Sequence, residues 1–231
     1  MNSTLKHYIK AIVPPIVITA AKTAMRQKRM ESSNQSNADS GQKEADWYDS
    51  SFENNDRWRE HYTRSGYYFL WTVIVDRMLR AGTTSVLEVA CGAGQLACML
   101  RDNGIDRYHG FDFSPKRLEQ ARVVCPEYEF SVEDAFSTEI FETFDYDAAL
   151  STEFLEHVEG DLEALSRIRP GTKFYGTVPN FPFVSHVRHF NNAQEVEERY
   201  SKCFSELRVD TILANDKGKQ FFLLEGIIAS A

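Results

Sequence analysis

With 231 residues, 42% of them hydrophobic, 13% aromatic and 26% charged, the chain has the make-up of a folded domain with a sizeable core. Its formal charge of −8 argues against a nucleic-acid backbone as the main partner, which would need a basic face. No apolar run is long enough to span a bilayer. The four cysteines, Cys91, Cys98, Cys125 and Cys203, form no C-x-x-C pair and read as reduced thiols of a cytoplasmic protein.

Residues 1–29 carry Lys6, Lys10, Lys22, Arg26, Lys28 and Arg29 and no acid. Apolar residues are interspersed among them, and Pro14-Pro15 divides the stretch into two short helical pieces. Such a basic amphipathic arm can lie on an anionic membrane surface such as the inner membrane face, dock onto a partner, or pack on its own domain. The sequence leaves the three open. Residues 30–46 are polar and aperiodic and read as a linker, with the folded domain over 47–231.

The stretch 56–80 reads as one helix with a dense aromatic middle, mostly core. Tyr62, Arg64 and Tyr67 in it have polar tips that could face a ligand. From Ser85 onward, short apolar strands alternate with helical patterns. Strands are expected over 85–90, 108–113, 128–135, 146–152 and 173–180, with helices over 94–104, 114–124, 160–169 and 192–202. Ser114 is the N-cap and Pro115 the first residue of its helix. Two closing strands, 207–213 and 219–228, are separated by a short turn and must pair antiparallel. The expected fold is α/β: a doubly wound, Rossmann-like seven-stranded sheet, mostly parallel, with an antiparallel closing hairpin.

The first strand runs into "VLEVACGAGQLA", a glycine-rich turn followed by a helix N-terminus. The pattern Gly92-x-Gly94 alone is common to many tight turns. Two acids sharpen it. Asp112 ends the second strand, where an acid accepts bonds from ribose hydroxyls. Glu88 precedes the glycine turn, which is awkward for a pyrophosphate but suits a cationic ligand with an amino group. A nicotinamide-binding domain using Gly92, Gly94 and Asp112 is the competing reading.

From Ser85 to Ile228 the chain resembles the class I S-adenosylmethionine-dependent methyltransferases, through "LEVACGAG", "GFDFSPKRLEQA", "EDAF" and "DAALSTEFLEHV". The resemblance implies a cofactor whose methionine part lies in the loop of Ala90, Cys91, Gly92 and Gly94, below Glu88. It implies a ribose at Asp112 beside Phe113, and an adenine amine at Asp134 beside Ala135. Thr152 completes the cofactor-binding candidates. Ala90 stands where the family usually has glycine.

The turn Glu153-x-x-Glu156-His157 follows the fourth strand. On a helical turn these three would share a face, and two carboxylates with an imidazole suit Mg²⁺, Mn²⁺, Fe²⁺ or Zn²⁺. The same residues can instead be the charged start of a helix, and a similar "EHV" is widespread in methyltransferases resembling those of ubiquinone biosynthesis. The segment "VPNFPFVSHVRHFNNAQEV" resembles the one after strand five in small-RNA 2′-O-methyltransferases, which hold a metal with a glutamate-x-x-glutamate-histidine turn and a later histidine. That resemblance makes His186 the fourth ligand beside Glu153, Glu156 and His157, with His189 the near alternative. His157 or His189 is the candidate proton acceptor.

The chain also resembles bacterial methyltransferases found with polysaccharide biosynthesis. The function expected is O-methylation of a sugar or glycan hydroxyl, metal-assisted. A metal-independent O- or N-methyltransferase of a small metabolite is the alternative, an RNA 2′-O-methyltransferase a third, and an inactive cofactor-binding module a fourth.

Overall fold

The computed structural model describes residues 41–214 and 218–230, so the basic arm and residues 30–40 lie outside the described part. Seven strands form one sheet in the order β3-β2-β1-β4-β5-β7-β6. They are β1 (Ser85–Val89), β2 (Arg107–Asp112), β3 (Glu129–Val132), β4 (Ala148–Thr152), β5 (Lys173–Pro179), β6 (Phe204–Leu213) and β7 (Gln220–Ile228). The first five run parallel, while β7 pairs antiparallel with both β5 and β6. This is the expected α/β Rossmann-like sheet with its closing hairpin.

The central strands are buried on both faces, which is why β1, β4 and β5 read as continuous apolar runs. One face packs against α2 (Tyr68–Arg80), α3 (Gln95–Asp102) and α4 (Pro115–Val124), through Ile74, Met78, Leu100 and Leu118. The other packs against α5 (Ile140–Thr143), α6 (Asp161–Ser166) and α7 (Ala193–Tyr200), through Phe141, Leu165, Val196 and Tyr200. Helices alternate between the faces on either side of β1 and β4. The chain winds outward from that pair in both directions, so the crevice between their carboxyl ends is a topological switch point, where ligands bind in such sheets.

Two elements differ from expectation. The 56–80 stretch is not one helix. Short 3₁₀ turns cover Asp56–Arg59 and Tyr62–Arg64, and α2 begins only at Tyr68. Asn55 and His61 each accept a backbone N–H two residues on, which offers the chain local turns in place of a continuous helix. Residues ahead of 47, expected as linker, also bond to the domain. Gly41 N–H donates to Val184 O (3.3 Å), Gln42 Oε1 accepts from Glu159 N (3.0 Å), and a helix α1 spans Ala45–Glu53.

Gly94 is the joint between β1 and α3. It has φ +79°, and a Cβ there would sit 2.9 Å from the backbone and side chain of Ala121 on α4. Gly92 has φ +58° but open space around it, with Arg117 Nη1 at 3.9 Å. Gly94→Ala therefore combines backbone strain with overpacking and should cost about 3 kcal/mol or more, while Gly92→Ala should cost only about 1–2 kcal/mol. Denaturant midpoints of the two variants check the order, and equal losses would contradict it.

Candidate active site

The Asp112 carboxylate organises the glycine turn. Its Oδ2 accepts from Gly92 N–H and its Oδ1 from Ser114 N–H, both at 2.9 Å. Cys91 N–H donates to Phe111 O at 3.0 Å, which ties the turn a second time to β2. Burial pushes the Asp112 carboxyl above its usual range, opposed by the Arg117 charge and the two N–H donors. Ser114 caps α4 by accepting from Arg117 N–H, and its hydroxyl donates to Asp49 of α1. The cap expected at Ser114 is therefore present.

A cavity of about 330 Å³ opens outside the carboxyl ends of β1 to β4. The glycine turn contributes Val89 and Ala90, β2 and α4 contribute Asp112, Phe113 and Arg117, and the loop after β3 contributes Glu133 to Phe136. The loop after β4 adds Glu153, Phe154, His157 and Val158, while Gln42 to Glu44 and Tyr48 form the outer wall. Of the expected cofactor contacts, Ala90, Asp112, Phe113, Asp134 and Ala135 line this cavity. Cys91, Gly92, Gly94 and Thr152 do not. Cys91 is buried with its sulfur against Gly110 of β2, the glycines act through backbone conformation, and Thr152 ends its strand behind Glu153. The open space above Gly92 and the Arg117 guanidinium beside it fit a nucleoside carrying an amino-acid arm.

Glu88, expected to meet the cofactor, lies beneath the glycine turn. It is 2% exposed, it does not line the cavity, and it accepts a hydrogen bond from the Tyr108 hydroxyl. Burial pushes its pKa up to about 8, with the Tyr108 bond opposing and the Asp112 charge reinforcing. The folded pKa thus lies above the unfolded one, so folding takes up a proton. The associated stability is complete below the unfolded value of 4.5 and is lost as pH rises through about 8. Glu88→Gln, which mimics the protonated acid, should flatten this slope of up to about 1.4 kcal/mol per pH unit. Urea midpoints at acid and alkaline pH check it: the variant gains on wild type only at the alkaline end.

The turn after β4 is not helical at its start. Glu153 has φ +56°, and the next turn closes through His157 N–H to Phe154 O at 2.9 Å. This separates the residues expected on one face. Glu153 turns toward β5 and α2: Thr177 Oγ1 accepts from its N–H (3.1 Å) and donates to its Oε1 (3.3 Å), and the Tyr67 hydroxyl donates to its Oε2 (3.4 Å). Glu156, His157 and His186 instead converge, with donor atoms all within 4.8 Å of one another. Glu153 does not join that group. Glu156 is fully buried, and neither of its carboxylate oxygens has a hydrogen-bond partner. His157 Nδ1 lies 2.9 Å from Ser185 O, and His186 Nδ1 lies 3.1 Å from Phe181 O. A carbonyl only accepts, so both Nδ1 atoms carry the proton and both neutral rings keep a bare Nε2. Burial holds both imidazoles down to about 4.

His189, a candidate proton acceptor, is exposed and belongs neither to the cavity wall nor to this group. Tyr67 does reach the site, through Glu153. Tyr62 instead donates to Asp102 of α3 (2.8 Å), and Arg64 is exposed.

Several residues with a part in the site carry no sequence motif. Arg188 binds the carbonyls of Leu155 and Val158 through Nη1 and that of Glu159 through Nη2 (3.1 Å), and it pairs with the buried Asp161 (3.2 Å). Val187 N–H donates to Glu156 O at 2.8 Å. Together they fix the turn that presents Glu156 and His157. Arg188→Ala leaves three carbonyls and a carboxylate short of partners and should cost about 3 kcal/mol or more. A fall in the urea midpoint, with Arg188→Lys between wild type and alanine, checks this.

Residues 86–173 match the family model described as a methyltransferase domain. This segment holds the glycine turn, Asp112 and the turn after β4, so a methyltransferase domain is matched over the part of the chain that builds the cavity. Solved structures share the fold at low identity. The N-methyltransferase NodS from Bradyrhizobium japonicum, in complex with S-adenosylhomocysteine, aligns with a TM-score of 0.57 and 14% identity, over 71% of this chain and 88% of its own. Magnesium protoporphyrin IX methyltransferase from Synechocystis, also with S-adenosylhomocysteine, gives 0.57 and 16% over 71% and 84%. The methyltransferase domain of bacterial CtHen1-C gives 0.54 and 18% over 69% and 97%. No curated protein sequence shows a significant match to the chain.

Proposed function

We propose that the protein methylates a hydroxyl oxygen, with a divalent metal held by Glu156, His157 and His186, and that the acceptor is a sugar or glycan with neighbouring hydroxyls. The observation that carries this reading is the convergence of a buried carboxylate without partners and two imidazoles with bare Nε2 atoms, beside the cofactor cavity. A fully buried carboxylate with no hydrogen bond is costly unless a cation completes it. His157 belongs to both the cavity wall and the cluster, so acceptor and cofactor would meet there. Glu153, fixed by Thr177 and Tyr67, closes the cavity on the same side.

The reaction is a displacement in which the acceptor oxygen forms a bond to the methyl carbon as the carbon–sulfur bond breaks. S-adenosylhomocysteine leaves, and the hydroxyl proton goes to solvent or a neighbouring base. The protein's share is position. The Asp112 side of the cavity holds the cofactor, and the turn fixed by Arg188 presents the acceptor. A divalent ion at Glu156, His157 and His186 would lower the pKa of a bound hydroxyl and fix its direction. The acidic overall charge favours a neutral diol over an RNA acceptor.

The test is Mn²⁺ binding followed by electron paramagnetic resonance, on chelator-stripped protein saturated with S-adenosylhomocysteine. Wild type should bind stoichiometrically, and Glu156→Ala and His186→Ala should each weaken binding by about tenfold or more. Absence of binding in wild type would replace this reading with a metal-independent O- or N-methyltransferase of a small metabolite.

A further inference from the structure

Arg117 is unlike the other cations of the site. It lies in the cavity wall, half-buried, at the third residue of α4. Its guanidinium stands over the rings of Tyr48 (5.0 Å) and Trp58 (5.4 Å), and Nη1 lies 3.9 Å from the point where a Cβ on Gly92 would be. Its Nε is buried with no hydrogen-bond partner, and among the described residues it forms no ion pair. The other arginines with one buried face, Arg77, Arg188 and Arg199, are each paired with carboxylates. The charge of Arg117 nevertheless reaches most of the cavity: it bears on Asp112, Tyr48, Tyr67 and His157.

A guanidinium held in place by two aromatic faces, with Nη1 beside the open space at Gly92, is a prepared site for an anion. The acids in the cavity wall, Asp112, Glu133, Asp134 and Glu153, form no ion pair with Arg117, which leaves its guanidinium for an anion brought by the ligand. S-adenosylmethionine carries one anionic group, its α-carboxylate. We propose that Arg117 anchors that carboxylate beside Gly92, while Asp112 takes the ribose hydroxyls. The assignment rests on the proposed methyltransferase function and its cofactor, and adds a residue that no motif marks. Arg117 sets the register of the cofactor along the cavity: fixing its amino-acid end beside Gly92 determines where along the β4 side the sulfonium methyl stands. Tyr48 and Trp58 are the positioning residues that hold the guanidinium.

The test is calorimetric and needs no acceptor. S-adenosylhomocysteine is compared with 5′-deoxy-5′-(3-aminopropylthio)adenosine, which lacks only the carboxylate. Wild type should bind the first at least about tenfold more tightly than the second. Arg117→Met, which keeps an unbranched stem, should lose that preference, weakening S-adenosylhomocysteine about tenfold or more and the analogue less than about threefold. Arg117→Lys should restore part of the preference, since it keeps the charge and loses the fork. Equal weakening of both ligands would move Arg117 to the nucleoside and overturn the proposal, as would no weakening of either. Tight binding of neither ligand by wild type would instead refute the cofactor. If Arg117→Met fails to fold, the lysine variant and the wild-type preference between the two ligands decide the matter.

Discussion

One buried carboxylate sets the geometry of the glycine-turn side of the cavity. Asp112 ends β2 at 5% exposure and accepts one N–H from the turn after β1 and one from the turn that opens α4. A carboxylate in that position is tolerated only with such donors, and one of them, the Gly92 N–H, lies in a tight turn of left-handed backbone. The turn must then place Ala90, Gly92 and Gly94 at positive φ, and Gly94 must lie against Ala121 without a side chain. The packing of α3 on α4, the opening above Gly92 and the position of Arg117 all follow from that arrangement.

The second fixed point lies across the switch point, at the end of β4. Its turn has no regular ladder to hold it, so side chains from later in the chain do so. Thr177 on β5 holds Glu153 from below, and Arg188 gathers the carbonyls of 155, 158 and 159 from outside. Asp161 in turn fixes Arg188, together with Arg199 and the Tyr200 hydroxyl. The cluster of Glu156, His157 and His186 thus rests on residues of β5, α6, α7 and the loop between β5 and α7. A change at any of them should reach the cluster through the turn, and a change at Asp112 should reach it only through the cavity.

Most of the sheet was legible because its central strands are buried on both faces and read as apolar runs. Ser114-Pro115 opens α4 in both sequence and structure. The glycine turn and Asp112 were legible because their residue types are demanded by backbone conformation and by a buried donor pair. The fate of Glu88 was not, since an acid at the end of a strand reads the same whether it faces a ligand or a tyrosine 20 residues on. Spacing also misled at Glu153. A three-residue interval puts two carboxylates on one face only if the turn is helical, and a positive φ with a Thr177 anchor breaks that condition. Tyr48 and Arg188 were invisible for a related reason: their parts depend on contacts across more than 25 residues, which no local pattern records.

The placement of backbone strain agrees with this division. Among the described residues, the non-glycine positions with positive φ are Ala90 (59°) and Glu153 (56°). Each costs about 1–2 kcal/mol relative to an ordinary conformation. They follow β1 and β4, the two strands that flank the switch point, and both line the same cavity. Each is over-determined by its surroundings. Cys91 N–H is bound to Phe111 O just after Ala90, and Glu153 N–H is bound to Thr177 Oγ1. A fold that only had to be stable would place glycine at both positions. At Glu153 the side chain explains why it does not, because its carboxylate lines the cavity and accepts from the hydroxyls of Tyr67 and Thr177. At Ala90 a methyl group lines the cavity where glycine would leave space, so the strain there trims the volume beside Gly92.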